Sequence, residues 1–130
     1  MQHVVIGLIY QNHKLCVAKR LTDPFIGYIE CPGGKVEEHE TLEDALSREL
    51  FEEVNLTVFD RYFLKSIQIE NEYGLFILHF YKVVPYQELV PKIYDELFWI
   101  DKRYIKELIW IPHNQPYLDF FIEADLFYPL

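Results

Sequence analysis

The residues of this chain best suited to chemistry are acidic and lie close together. The stretch Gly33-Gly34-Lys35-Val36-Glu37-Glu38-His39-Glu40 precedes a segment carrying Arg48, Glu49, Glu52 and Glu53. At 3.6 residues per helical turn, Glu49, Glu52 and Glu53 stand at i, i+3 and i+4, so three carboxylates share one face. Glu49 and Glu53 project into the same sector as Leu42, Ala45 and Leu46. The apolar stripe therefore turns acidic along its length, and carboxylates there are partly desolvated. Glu49 and Glu53 repel each other at i, i+4. All three sit toward the negative end of the helix dipole, with no basic residue in the last turn. Folding alone does not favour such a cluster. A set of hard oxygen ligands on a rigid element does suit Mg²⁺ or Mn²⁺, and the ion converts the repulsion into binding energy. Arg48 can pair with Glu52 and Glu40 and so orient ligands. A solvated acidic face is the competing reading. It is weakened by the core-side placement and by the Pro32-Gly33-Gly34 loop just before.

The elements that must position these groups follow from periodicity. Thr41 to Val54 has Leu42, Ala45, Leu46, Leu50 and Val54 at helical spacing, with Thr41 as N-cap and Asn55 to close it. Val4–Tyr10 and Leu15–Ala18 are β-prone runs joined by Gln11-Asn12-His13-Lys14, a hairpin pattern. Tyr28-Ile29-Glu30-Cys31 is a short extended piece halted by Pro32-Gly33-Gly34. Tyr62–Glu70 and Leu75–Val84 read as strands joined at Asn71-Glu72-Tyr73-Gly74, and Leu97–Ile100 as another. Asp101 caps a short helix to about Ile109. Asn114, with Pro116 in the first turn, opens a last helix through Ala124. The run Tyr81 to Tyr94, with Pro85 and Pro91, reads as a loop lying over the site. Strands before, between and after the helices predict an α/β domain with a mixed sheet, one domain spanning residues 1–130.

Composition narrows the function classes. Of 130 residues, 51% are hydrophobic, enough for a core and too many for a disordered chain. Twelve Lys+Arg against 21 Asp+Glu give a net charge of −9, a field that repels a nucleic-acid polymer. An anionic substrate would need divalent metal to bring it in. Cys16 and Cys31 lie among apolar neighbours without a zinc or disulfide spacing, which fits a reducing cytoplasm. The apolar run Val4–Tyr10 ends at Gln11 and has no basic segment before it, so neither a signal peptide nor a membrane span is expected. The five histidines, His3, His13, His39, His79 and His113, show no ligand spacing and read as surface or strand residues.

The acidic segment resembles a known motif. Gly34, five residues, Glu40, seven residues, Arg48-Glu49-Leu50, one residue, Glu52-Glu53, one residue, Asn55-Leu56 is similar to the Nudix box, departing from it only where Asn55 replaces Gly. Asn is the next-best residue for a left-handed helix stop. The likeness extends to the MutT branch. Glu30-Cys31-Pro32-Gly33-Gly34-Lys35 resembles that branch's Glu-aromatic-Pro-Gly-Gly-Lys, Arg20 falls where a phosphate-contacting arginine ends the second strand, and Asn114-Gln115-Pro116 is similar to its base-reading turn. The resemblance implies a Nudix α/β/α sandwich that hydrolyses nucleoside triphosphates, including oxidised guanine nucleotides such as 8-oxo-dGTP, to monophosphate and pyrophosphate. Mg²⁺ would be held by Glu49, Glu52, Glu53, the Gly33 carbonyl and Glu96. Either Glu52 or Glu53 would take the proton of the attacking water, since metal-bound carboxylates titrate as a set.

Among the substrate-side residues, Asn114 reads either as a helix N-cap or as a base reader offering donor and acceptor. Cys31 replaces the usual aromatic residue and implies a wider or differently shaped base pocket, with Phe76 and Leu78 supplying apolar contact. Lys35 reads as a phosphate contact or a solvated loop residue. The expected partner is a nucleotide, and the expected assembly a monomer or weak homodimer. The alternatives are a Nudix hydrolase for a dinucleoside polyphosphate or ADP-ribose, with Tyr73 resembling the tyrosine of the former branch, and a catalytically silent nucleotide-binding module.

Overall fold

In the computed structural model, which describes residues 1–126 other than 93 and 95, seven strands form a mixed sheet. They are β1 (Gln2–Gln11), β2 (Lys14–Lys19), β3 (Ile29–Glu30), β4 (Gly33–Lys35), β5 (Asp60–Asn71), β6 (Gly74–Val84) and β7 (Leu97–Asp101). The order is β3-β2-β1-β6-β5, with β4 on β1 and β7 on β2. Only β1 and β6 pair in parallel, in register Val5 with His79 and Gly7 with Tyr81.

The expected hairpin forms, yet it holds only at Tyr10 with Leu15 and Gln11 with Lys14. Beyond that point β1 turns to β4 and β6 while β2 turns to β3 and β7. The Pro-Gly-Gly segment, expected to stop a strand, starts one instead: Gly33, Gly34 and Lys35 pair with Ile6, Val5 and Val4. Glycines carry no side-chain pattern, so their strand is imposed by the partner edge of β1 and not by local preference.

Helix α1 (Leu42–Val54) begins and ends as its sequence dictates. The Thr41 side chain accepts from the Asp44 N–H at 3.1 Å, and Asn55 adopts the left-handed conformation with φ 59°. The segment after Asp101 is a 3₁₀ helix, Lys102–Glu107, capped by the Asp101 side chain. The last helix is shorter than expected. A 3₁₀ turn, Gln115–Tyr117, precedes α2 (Leu118–Ala124), and Asn114 makes no side-chain cap hydrogen bond. Its expected N-cap role is therefore not met.

Two cores lie on the two faces of the sheet. On one, α1 contributes Ala45, Leu46, Leu50 and Val54 against Val5, Ile9 and Val83. On the other, α2 and the 3₁₀ segment contribute Leu118, Phe121 and Ile105 against Leu8, Leu78 and Phe80. The result is the expected α/β/α sandwich. Fully buried leucines such as Leu46 and Leu50 anchor α1; truncating one to Ala costs about 2–5 kcal/mol. Among the described residues, no helix is long and apolar enough to cross a membrane.

The loop expected over the site is corrected in place and extent. Tyr81–Val84 belongs to β6, where side chains pack into the α1 core. The segment that follows docks on the C-terminal end of α1, with the Val90 N–H donating to Val54 O at 2.9 Å and the Lys92 N–H to Glu53 O at 2.8 Å.

Candidate active site

Strand β4 lies between the acidic face of α1 and a cleft, and it touches both. The Gly33 N–H donates to Glu53 Oε2 at 2.9 Å, while the Tyr94 hydroxyl donates to Glu53 Oε1 at 3.2 Å. Glu53 is only 5% exposed. Burial pushes its carboxyl up to about 8, an effect the Gly33 N–H opposes and the nearby charges of Glu49 and Glu30 reinforce. Glu49 lies against Gly34, its carboxylate filling the space a Cβ there would take. Burial raises its carboxyl too, against the pull of Arg48. Glu52 is the open member of the set, with its side chain 56% exposed.

Arg48 ties these groups together. Its Nε and Nη2 donate to the two oxygens of Glu40 at 2.6 and 2.9 Å, Nη1 donates to Glu49 at 2.9 Å and Glu52 at 3.3 Å, and Nη2 donates to the Lys35 carbonyl at 3.0 Å. Glu40 also accepts from the Glu37 N–H at 2.8 Å. The Arg48 hydrogen bonds hold the Glu40 carboxyl down at about 2. One guanidinium thus fastens the loop before α1, strand β4 and the acidic face in a single arrangement. The expected pairs with Glu40 and Glu52 are present, and the bonds to Glu49 and Lys35 were not anticipated.

Across β4, Gly33, Gly34 and Lys35 line a cavity of about 290 Å³ together with Arg20, Glu30, Cys31, Phe76, Leu78, His113 and Asn114. The structure therefore gathers Arg20, Cys31, Lys35, Phe76 and Asn114 in one place. Asn114 is 2% exposed. Arg20 is held rather than free: Nη1 donates to Glu30 at 2.9 Å and Nε to the carbonyls of Pro24 at 2.7 Å and Thr22 at 3.2 Å. Burial raises the Glu30 carboxyl, and the charge of Arg20 opposes this. Cys31 is buried, which pushes its thiol well up and keeps it a neutral, apolar floor.

Two expectations need correction. Glu96, expected with the metal ligands, is exposed on the segment entering β7 and lines a different cleft with Gln11, Pro85 and Trp99. Among the described residues, no three acidic, thiol or imidazole side chains converge as a metal cluster. Arg48 draws Glu49 and Glu52 toward itself, and Glu53 is turned onto the Gly33 N–H. Tyr94 and Glu30 escaped sequence reasoning as site members. Tyr94 reaches Glu53 across 41 positions, a contact no local pattern announces. His3 and His79 also meet, Nδ1 to Nε2 at 2.9 Å, with Ser66 Oγ 2.6 Å from His79 Nδ1, although no spacing linked them.

Such a sandwich, with an Arg-fastened acidic helix behind a Gly-Gly strand, is the architecture of a nucleotide-handling α/β class. The match to known proteins agrees: residues 1–129 fit the NUDIX domain model, and the chain belongs to that family. An 8-oxo-dGTP diphosphatase of Buchnera aphidicola is 36% identical over 75 residues, covering 52% of this chain and 58% of that protein. The chain spans about half the length of the curated relatives it matches. The solution structure of the E. coli ORF135 protein superposes with a TM-score of 0.85 at 27% identity, covering 99% of this chain and 94% of the other. A structure of MutT from Aliivibrio salmonicida and Vibrio cholerae superposes at 0.79 with 25% identity, covering 93% and 96%.

The residues present fit a divalent cation. All the candidate donors are oxygens, two of the carboxylates are desolvated, and the missing Cβ of Gly34 leaves the Glu49 carboxylate seated against β4.

Proposed function

We propose that this chain is a MutT-like, divalent-metal-dependent nucleoside triphosphate pyrophosphohydrolase, acting on (oxidised) deoxynucleotides such as 8-oxo-dGTP. One observation carries it: Gly33-Gly34-Lys35 lines the cavity on one side and holds Glu53 and Glu49 on the other, so a nucleotide in the cleft has its phosphates beside the acidic face.

Glu49, Glu52, Glu53 and the Gly33 carbonyl would hold Mg²⁺ or Mn²⁺, which supplies charge neutralisation on the transferring phosphoryl group. Glu96, open on the β7 approach, stands outside that set. Glu53 is the better proton acceptor of the two candidates: it is buried and fixed by two hydrogen bonds, whereas Glu52 is exposed and paired with Arg48. The water oxygen bonds to phosphorus as the anhydride oxygen leaves, and the water proton passes to Glu53, giving monophosphate and pyrophosphate. Arg48 keeps the carboxylates oriented. Lys35 and Arg20 offset phosphate charge at the cleft. Asn114 offers its amide to the base edge, and Cys31 with Phe76 gives apolar contact. The same reading makes the protein a cytoplasmic, nucleotide-binding monomer or weak homodimer that cleanses the nucleotide pool.

The test is pyrophosphate release with Mg²⁺ over 8-oxo-dGTP, dGTP, dCTP, diadenosine tetraphosphate and ADP-ribose, repeated in EDTA. Preference for a deoxynucleoside triphosphate and loss of activity in EDTA are expected. Full activity in EDTA, or turnover of ADP-ribose alone, would overturn the assignment.

A further inference from the structure

The cleft described above is not closed on its outer side. It opens into a second cavity of about 260 Å³, and the two share Arg20, Lys35, Phe76, Ile111 and His113 as lining residues. The outer chamber adds Phe25 and Tyr73. These come from elements at opposite edges of the sheet order: Phe25 from the loop joining β2 to β3, and Tyr73 from the turn joining β5 to β6.

We propose that Phe25 and Tyr73 form an aromatic clamp, a stacking subsite for the heteroaromatic ring of the nucleotide, at the mouth of the cleft. The proposal rests on the nucleotide reading of the previous section and specifies where the ring finds its flat contacts. The inner chamber has little to offer a ring face. Its floor is Cys31, and its other apolar walls are the aliphatic side chains Val4, Ile6, Leu78 and Ile111. A small thiol presents far less area than an aromatic ring and none of its quadrupole. The aromatic surface of the cleft starts at Phe76, in the shared neck, and continues outward to Phe25 and Tyr73.

Both clamp residues are held from behind while their rings stay accessible. The Tyr73 N–H donates to Asn71 Oδ1 at 2.8 Å, which fixes the turn, and Tyr73 is 66% exposed. The Phe25 carbonyl accepts from the Tyr28 N–H at 3.0 Å, and the Phe25 and Tyr28 rings lie 5.5 Å apart. Arg20 donates to the Pro24 carbonyl, so the residue at the neck also anchors the loop that presents Phe25. An exposed tyrosine on a tight turn needs no ring for stability. Its position beside a cation-lined cavity gives that ring a partner with a π-face. A clamp of this kind tolerates different bases, since each has such a face, and it leaves discrimination to groups deeper in the cleft.

The experiment measures steady-state kinetics of Phe25→Ala and Tyr73→Ala with dGTP and with ribose 5-triphosphate, which has no base, together with calorimetric binding of dGMP in Mg²⁺. Each alanine variant should raise KM for dGTP and weaken dGMP binding about tenfold, with a much smaller loss for ribose 5-triphosphate. Phe25→Tyr and Tyr73→Phe, which keep a ring, should restore both. Values within twofold of wild type in both alanine variants, or equal losses with and without a base, overturn the clamp. Binding of dGMP needs no turnover, so this result is read separately from the failure of the hydrolase assignment.

Discussion

Glu49 and Gly34 occupy one another's space: the carboxylate of Glu49 lies where any Cβ on Gly34 would have to be. The atom in the way is the end of a flexible side chain, so Gly34→Ala is expected to fold, with Tm within a few degrees of wild type, but to displace Glu49 and lose most activity. Gly33→Ala meets backbone instead, the Val5 carbonyl and Ile6 Cα, and neither can yield. It should cost about 2–4 kcal/mol of stability, as misplaced atoms in packed sites do. Thermal melts alongside pyrophosphate release distinguish the two.

Glu53 makes the metal-free protein sensitive to pH. A carboxyl raised from its ordinary value to about 8 favours the native state when protonated. Stability is therefore fully present below about 4.5 and is lost as pH rises through about 8. Glu53→Gln keeps a neutral group at Gly33 and removes this loss. In EDTA the variant should melt about 5 °C higher than wild type at pH 8.5 and near it at pH 5, while turnover in Mg²⁺ drops at least a hundredfold. Equal melting at both pH values, or wild-type turnover, would refute the role.

Arg48 binds Glu40, Glu49, Glu52 and the Lys35 carbonyl at once. Arg48→Ala should weaken Mg²⁺ affinity about 10–100-fold, as loss of a ligand-orienting partner does. Arg48→Lys should recover little, because an ammonium cannot serve the two Glu40 oxygens with a planar fork. A Mg²⁺ titration unchanged in Arg48→Ala would show that the guanidinium does not orient the ligands.

Asn114 caps no helix through its side chain, is buried, and lines the cleft. Asn114→Ala should therefore cost about 1–3 kcal/mol in kcat/KM for the preferred nucleotide and much less for poorer ones. Comparison of 8-oxo-dGTP with dGTP on both proteins reads the effect. A lower Tm with an unchanged preference ratio would return Asn114 to a purely structural role.

Local chemistry made part of this protein legible from its residues alone. Helix α1, its Thr41 and Asn55 ends and its acidic face were readable because caps and 3.6-residue periodicity act within a few positions. The same holds for β5 and β6, whose turn and alternation are adjacent in the chain. Only tertiary structure decided that Gly33-Gly34-Lys35 is a strand, since its conformation comes from hydrogen bonds to β1. Tertiary packing also brought Tyr94 to Glu53, Arg20 to Glu30, and Phe25 and Tyr73 to one cavity, and it left Glu96 beside Trp99. Each of these depends on strand order and register between distant segments. No periodic signal within either segment encodes that order, because the partners meet only after the two cores have closed on the sheet.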